Sequence, residues 1–164
     1  MSTSIMQSKG FPKGIISSTL ARRASRRLTF NPAKEFFMPL VRISLPQTTP
    51  SAEVAAVSDT IHRAMVETFN VPELDRFQVI HRHGHEELVC TPEYLGVNHS
   101  GAVVFVQITC APGRSLEMKK ALYARVASDI SRVSSFSAAD VIINLVESSR
   151  ENWSFGLGIA QYSQ

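Results

Sequence analysis

The chain has 164 residues, 44% of them hydrophobic, and a formal net charge of +3. That length holds one domain with a sizeable core, and no apolar run approaches the roughly 18 residues needed to cross a bilayer. The charge is divided unevenly. Residues 1–37 carry seven Lys/Arg and one acid, Glu35, whereas residues 38–164 carry ten basic and thirteen acidic side chains. The basic balance therefore belongs to the first segment, and the rest shows no nucleic-acid footprint.

Residues 1–37 are rich in Ser and Arg and carry no periodic pattern longer than a turn or two. Three readings compete: an upstream start codon that is not used, a mitochondrial-type presequence, or a retained disordered basic tail. Gly14-Ile15-Ile16 is too short for a secretory core, and no apolar segment follows Arg22-Arg23. The first reading explains why a globular pattern restarts at Met38. The domain is then 38–164, in the cytoplasm, or in a mitochondrion if the segment is a presequence.

Met38 is followed by Pro39, and processing aminopeptidases trim a methionine that precedes proline. A mature chain starting at Pro39 has a free secondary amine, and α-amino groups titrate near neutral pH. As an internal residue, Pro39 is an amide without that chemistry. From Leu40 to Leu45 the residues Val41, Ile43 and Leu45 alternate onto one face, a strand. Thr49-Pro50 reads as an N-cap with proline at the first helical position. Val54, Val57, Ile61, Met65 and Phe69 then recur at helical spacing, and Asn70-Val71-Pro72 ends that helix. Alternation over 76–83 predicts a second strand. Residues 84–100 are looser.

The pattern then repeats. A strand is expected over 102–108, a helix opening at Arg114-Ser115 and running to about Val133, and a strand over 141–146. In that helix Met118, Leu122, Val126, Ile130 and Val133 share a face. Each element follows its counterpart by 63 or 64 residues, which implies a duplicated βαβ half. Crossovers of this kind make the strands within each unit parallel. The expected fold is α+β: a four-stranded mixed sheet with two helices on one face. The strands over 102–108 and 141–146 read as apolar on both faces, so a ring of like subunits is expected over the open side. The two cysteines, Cys90 and Cys110, form no CxxC pair and read as reduced core thiols.

Pro39 starts the first strand and Asp75 precedes the second. If a pseudo-two-fold relates the halves, the third strand runs antiparallel. Its end, with the Ala111-Pro112-Gly113-Arg114 turn, then reaches the same sheet edge. An amine, a carboxylate and a guanidinium would converge there, with Arg114 in the first turn of the second helix, where backbone N–H groups attract anions. A carboxylate substrate suits that site. Histidines 81, 83 and 85 lack a completing ligand set and read as a solvated strand end, so no metal is expected. No phosphate loop or dinucleotide fingerprint is present, so no cofactor is expected.

The chain from Met38 onward resembles the tautomerase superfamily, and within it the malonate semialdehyde decarboxylase branch. The matching stretches are Met38-Pro39, Val71-Pro72-Glu73-Leu74-Asp75-Arg76-Phe77-Gln78, Gly113-Arg114-Ser115 and Asn152-Trp153-Ser154-Phe155-Gly156-Leu157-Gly158. The resemblance implies a homotrimer and an amino-terminal proline as the catalytic group. It also implies Asp75 as the residue that polarises water or assists proton transfer, Arg114 as the carboxylate anchor, and Trp153 and Phe155 as pocket walls. Ala111 stands where some decarboxylases of the branch carry a second arginine. The expected function is keto–enol tautomerisation of small carboxylate-bearing carbonyl compounds. The alternatives are decarboxylation of malonate semialdehyde type, or a non-catalytic trimeric scaffold if residues 1–37 are retained.

Overall fold

The computed structural model describes residues 39–162; the readings of residues 1–37 and of Met38 lie outside them. Among the described residues, no helix is long and apolar enough to cross a membrane. In chain order the elements are β1 (Leu40–Pro46), α1 (Ser51–Phe69), β2 (Phe77–His83), β3 (Glu93–Tyr94), β4 (Val97–Asn98), β5 (Val104–Cys110), α2 (Leu116–Val133) and β6 (Val141–Glu147). Short 3₁₀ turns lie before β6 at Ala138–Asp140 and after it at Arg150–Asn152.

The main sheet has the order β2-β1-β5-β6. β1 pairs with β2 in parallel, with Leu40 opposite Phe77, and β5 pairs with β6 in parallel, with Val104 opposite Val141. β1 and β5 run antiparallel at the centre, with Leu40 opposite Thr109. This is the duplicated arrangement that the spacing predicts: the strands of the second half begin 64 residues after those of the first (40 to 104, 77 to 141).

Strand alternation puts Val41, Ile43 and Leu45 of β1 and Val104, Val106, Ile108 and Cys110 of β5 on the helix side, all buried. Val57, Ile61, Met65 and Phe69 of α1 and Leu122, Val126 and Ile130 of α2 pack on them in one cluster. Each such side chain contributes about 1.5–3 kcal/mol by leaving water. Val133, the last residue of α2, departs from the expected buried face and is 40% exposed.

Three local readings are corrected. Pro50 is itself the N-cap of α1, with no side-chain cap; the Thr49 carbonyl instead accepts from Arg82 Nη1 at 3.0 Å. The stretch over 84–100 contains the β3–β4 hairpin, turned by Leu95 and Gly96, both at positive φ, the backbone signature of a tight hairpin turn. Cys90 is half-buried rather than core, whereas Cys110 is buried as expected.

The sheet face away from the helices is mixed, not uniformly apolar. Phe105 and Ile142 share it with Arg42, Ser44, Gln107 and Asn144, around a concavity of about 260 Å³. Gln107 Nε2 donates to Asn144 Oδ1 at 3.2 Å across the β5–β6 pair. Periodicity alone missed this because Gln107 and Asn144 are single polar positions inside long apolar runs.

The core cluster makes a direct prediction. Ile61 is fully buried between α1 and the sheet, so Ile61→Ala should lower unfolding free energy by about 2–5 kcal/mol, read by urea denaturation at fixed protein concentration.

Candidate active site

The antiparallel β1–β5 pair brings the start of β1, the start of β2 and the end of β5 to one sheet edge. Pro39 immediately precedes β1 and is buried. Continuing the register by one residue sets it between Arg76 and Cys110. Asp75 comes two residues before β2, and Arg114 four residues after β5. The turns that carry the acid and the cation thus adjoin strands on opposite sides of β1, each about 4.8 Å from it.

Asp75 is placed by the turn after α1. Asn70 closes that helix in the left-handed conformation (φ 53°), and Asp75 N–H donates to the Pro72 carbonyl at 2.9 Å. The next residues tie β2 to α1. Arg76 pairs with Asp59 at 2.7 Å and donates from Nη2 to Ser58 Oγ. Ser58 Oγ in turn donates to Gln78 Oε1, and Gln78 Nε2 donates to the Ser58 carbonyl. Arg76 is therefore turned toward α1, leaving Asp75 to the sheet edge. Burial raises the Asp75 pKa from its ordinary value, and His62 opposes that. Asp75 Oδ2 is buried without a hydrogen-bond partner among the described residues.

Arg114 follows Gly113, whose φ of +108° side-chain-bearing residues rarely adopt. The structure corrects its expected position: α2 starts at Leu116 with Ser115 as N-cap, so Arg114 lies just outside the helix, not in its first turn. The Ser115 hydroxyl caps the helix by accepting from Met118 N–H. Arg114 as a whole is 7% exposed. It stacks over the Phe69 ring, 4.4 Å from the centroid, and Nη1 donates to the Ala111 carbonyl at 2.7 Å. Burial lowers its pKa, while Cys110 and Glu147 raise it; guanidinium basicity is high enough that it stays charged. Burial likewise keeps Cys110 a neutral thiol, since desolvation raises its pKa more than Arg114 lowers it. Lys119 and Glu147 pair at 2.7 Å and join the first turn of α2 to the end of β6.

Trp153 and Phe155 are both half-buried and stack on each other, 5.5 Å apart and nearly parallel. Phe155 also tilts against Phe77 at the start of β2 and meets Tyr162 edge-on. The turn after Phe155 is closed by Gln161, which accepts from Phe155 N–H and donates to the Gly156 carbonyl. The aromatic wall thus stands on the Asp75 side of the edge, and Tyr162, whose pKa burial and Asp75 raise, belongs to it. His62, Phe77 and Tyr162 were not read as site residues from the sequence. His62 gave a signal only as a polar residue beside the buried Ile61 on α1.

With this geometry in place, comparison with known proteins defines the class. Two family models, both described as tautomerase enzyme, match residues 39–98 and 75–156. A Bacillus subtilis (strain 168) protein named probable tautomerase YusQ is 39% identical over 124 residues, covering 76% of this chain and 98% of the relative. The chain belongs to the tautomerase family and is an enzyme of that superfamily. Among solved structures, a malonate semialdehyde decarboxylase is 35% identical with a TM-score of 0.68, covering 75% of this chain and 95% of the other. That protein was solved as wild type, with its first residue changed from proline to alanine, and in inactivated form, as a basis for decarboxylase and hydratase activities. A fused 4-OT symmetric trimer shares the fold at a TM-score of 0.63 and 17% identity, covering 76% of this chain and 98% of the other.

The environment of Asp75 sets a stability prediction. Its pKa is raised by folding, so burying it costs nothing below the ordinary carboxylate value, the cost grows as pH rises from there to the folded value, and it is level above that. Asp75→Asn should therefore raise Tm at pH 7, with a gain that shrinks toward pH 4. Calorimetry across that range checks it, and a gain that grows on acidification would contradict the assigned cause.

Proposed function

We propose that this chain is a keto–enol tautomerase of small carboxylate-bearing carbonyl compounds, with Pro39 as an amino-terminal base. The reading is supported by the sheet edge, where β1, which begins just after Pro39, lies between the strands adjoining the desolvated Asp75 and the buried Arg114. The family match that begins at residue 39 supports a mature chain starting there.

The chemistry follows from the neighbours. Desolvation and Arg114 disfavour a charged proline amine, while Asp75 favours it. A neutral amine removes an α-proton from a keto acid; the electrons move into the carbonyl to form the enol, and the proton returns at another position. Arg114 pairs with the substrate carboxylate, and its burial strengthens that attraction by excluding water. Trp153 and Phe155 wall the pocket. Likeness to a malonate semialdehyde decarboxylase favours a second reaction at the same residues. There a cationic Pro39 polarises the aldehyde, and the bond from the α-carbon to the carboxylate breaks to release carbon dioxide. Its electron pair moves into the carbonyl as an enolate, and the α-carbon then takes a proton from a water that Asp75 orients. A trimer fits both readings: Phe77, Val79 and Val146 are 44%, 36% and 37% exposed on the open sheet face, and the fused 4-OT of this fold is a symmetric trimer.

Protein purified without a tag from its host should give a denatured mass for Pro39–Gln164 and a native mass of three chains. That protein should turn over phenylenolpyruvate or 2-hydroxymuconate, or release carbon dioxide from malonate semialdehyde. Pro39→Ala should collapse the rate, and an unchanged rate would remove Pro39 from the mechanism. A mass retaining residues 1–37 would leave Pro39 an amide and favour the scaffold reading.

Arg114→Ala should raise KM for carboxylate substrates by about tenfold or more. Arg114→Lys should recover only part of the loss, because a point charge replaces a planar fork. An unaltered KM in a folded Arg114→Ala protein would place the anchor elsewhere.

A further inference from the structure

The stretch Gly156-Leu157-Gly158 belongs to a motif that the proposed reaction leaves unused. It forms a turn in which Ile159 N–H donates to the Gly156 carbonyl at 3.4 Å. Both central positions, Leu157 (φ 58°) and Gly158 (φ 65°), are left-handed. That is the type I′ pattern, which Asn, Asp and Gly adopt at least cost. Leu157 is nearly fully exposed, so no burial of its side chain offsets the strain of its backbone. Such a turn persists only where its surroundings hold it.

Gln161 does so. Its Oε1 accepts from Phe155 N–H and its Nε2 donates to the Gly156 carbonyl, each at 3.0 Å. A backbone N–H only donates and a carbonyl only accepts, so the amide has one possible orientation. One side chain thus fastens two successive residues at the entry of the turn. What it fastens is the hub of an aromatic cluster. Phe155 stacks on Trp153 at 5.5 Å, tilts against Phe77 at 5.9 Å and meets Tyr162 edge-on at 5.4 Å. Tyr162 directly follows Gln161, so the same fastening brings its ring back to Phe155. Phe77 opens β2, two residues after Asp75. Release of the Phe155 backbone would disturb three ring contacts at once. Rings arranged in this way present π-faces and edges that favour flat, conjugated groups laid against them.

We infer that Gln161 is a positioning residue that fixes the Trp153–Phe155 wall and thereby sets a preference for carboxylate substrates with flat, conjugated tails. The preference rests on the proposed function; the positioning of the wall does not. Gln161 acts through Phe155, and both its partners are backbone groups of the turn. Its loss therefore weakens the binding of ring-bearing substrates and leaves the chemical step at the sheet edge unchanged.

The test compares Gln161→Glu and Gln161→Met in the protein as its host produces it. The glutamate is nearly the same size and keeps the acceptor for Phe155 N–H, but its ionised carboxylate offers the Gly156 carbonyl no donor; protonation restores one. Trp153 is the only tryptophan in the chain, so its emission reports the wall. At pH 7 the emission should move to longer wavelength in both variants. On acidification to about pH 4 the glutamate variant should return toward the wild type measured at the same pH, and the methionine variant should not. Wild-type emission in both variants at pH 7, or no return in the folded glutamate variant, would overturn the positioning role. If Gln161→Met does not fold, Gln161→Glu alone decides it. For phenylenolpyruvate at pH 7, KM should rise about three- to tenfold in both variants with kcat unchanged. Inhibition by pyruvate, which has the carboxylate and carbonyl but no ring, should stay as in the wild type. A fall in kcat at constant KM, or equal weakening of pyruvate, would overturn the specificity role. Absence of phenylenolpyruvate turnover in the wild type would count against the proposed function and against the preference, and Trp153 emission would still decide the positioning of the wall.

Discussion

The antiparallel pairing of β1 with β5 sets everything else in place. Within each half, the crossover helix makes the two strands parallel, so their starts share an edge. A parallel join between the halves would put the end of β5 at the opposite edge, and the Arg114 turn would be a sheet's length from Pro39 and Asp75. Antiparallel pairing, with Leu40 opposite Thr109, reverses the second half and brings its exit turn to the first half's entrance. The same reversal puts both helices on one face, where Arg125 of α2 bridges to Glu67 of α1 at 3.0 Å, and leaves the other face for contacts of a different kind.

The edge is costly to build, and that cost is informative. A desolvated acid at Asp75, a guanidinium buried against Phe69, and a neutral thiol at Cys110 lie at the same end of the sheet. Asp75 and Arg114 approach from opposite sides of β1. Folded toward each other, they would form an ordinary salt bridge and offset part of the desolvation cost. Instead Arg114 is held back by the Ala111 carbonyl and the Phe69 ring, while Arg76, the cation nearest Asp75 in sequence, is drawn off to Asp59. Groups kept apart at such expense are typical of functional sites.

Much of this was legible in the sequence, for a clear reason. Strand and helix periodicities report burial on the core side, which local sequence dictates, and the repeat spacing reports topology. Pro39, Asp75 and Arg114 could therefore be assigned to one edge before any coordinates. What stayed hidden depends on tertiary neighbours. The offset of Arg114 from α2 is set by Ser115 taking the cap. The mixed character of the open face is set by single residues such as Gln107. His62 and Tyr162 join Asp75 only because α1 and the C-terminal segment return to the start of β2, and neither return has a sequence period.

On the proposed reading, the position of Pro39 also explains why one site suits two reactions. An amine flanked by a carboxylate and a guanidinium feels opposing pulls, and its protonation depends on their balance. A displacement of either group by a fraction of a strand spacing shifts that balance, as does any change in the charge on Asp75. A base for proton transfer and an acid for polarising an aldehyde are then neighbouring settings of one device. The setting is controlled from beyond the edge, through Glu147 and Cys110 behind Arg114 and His62 and Tyr162 behind Asp75. On this reading those supporting residues, together with the three at the edge, set which of the two reactions this chain favours.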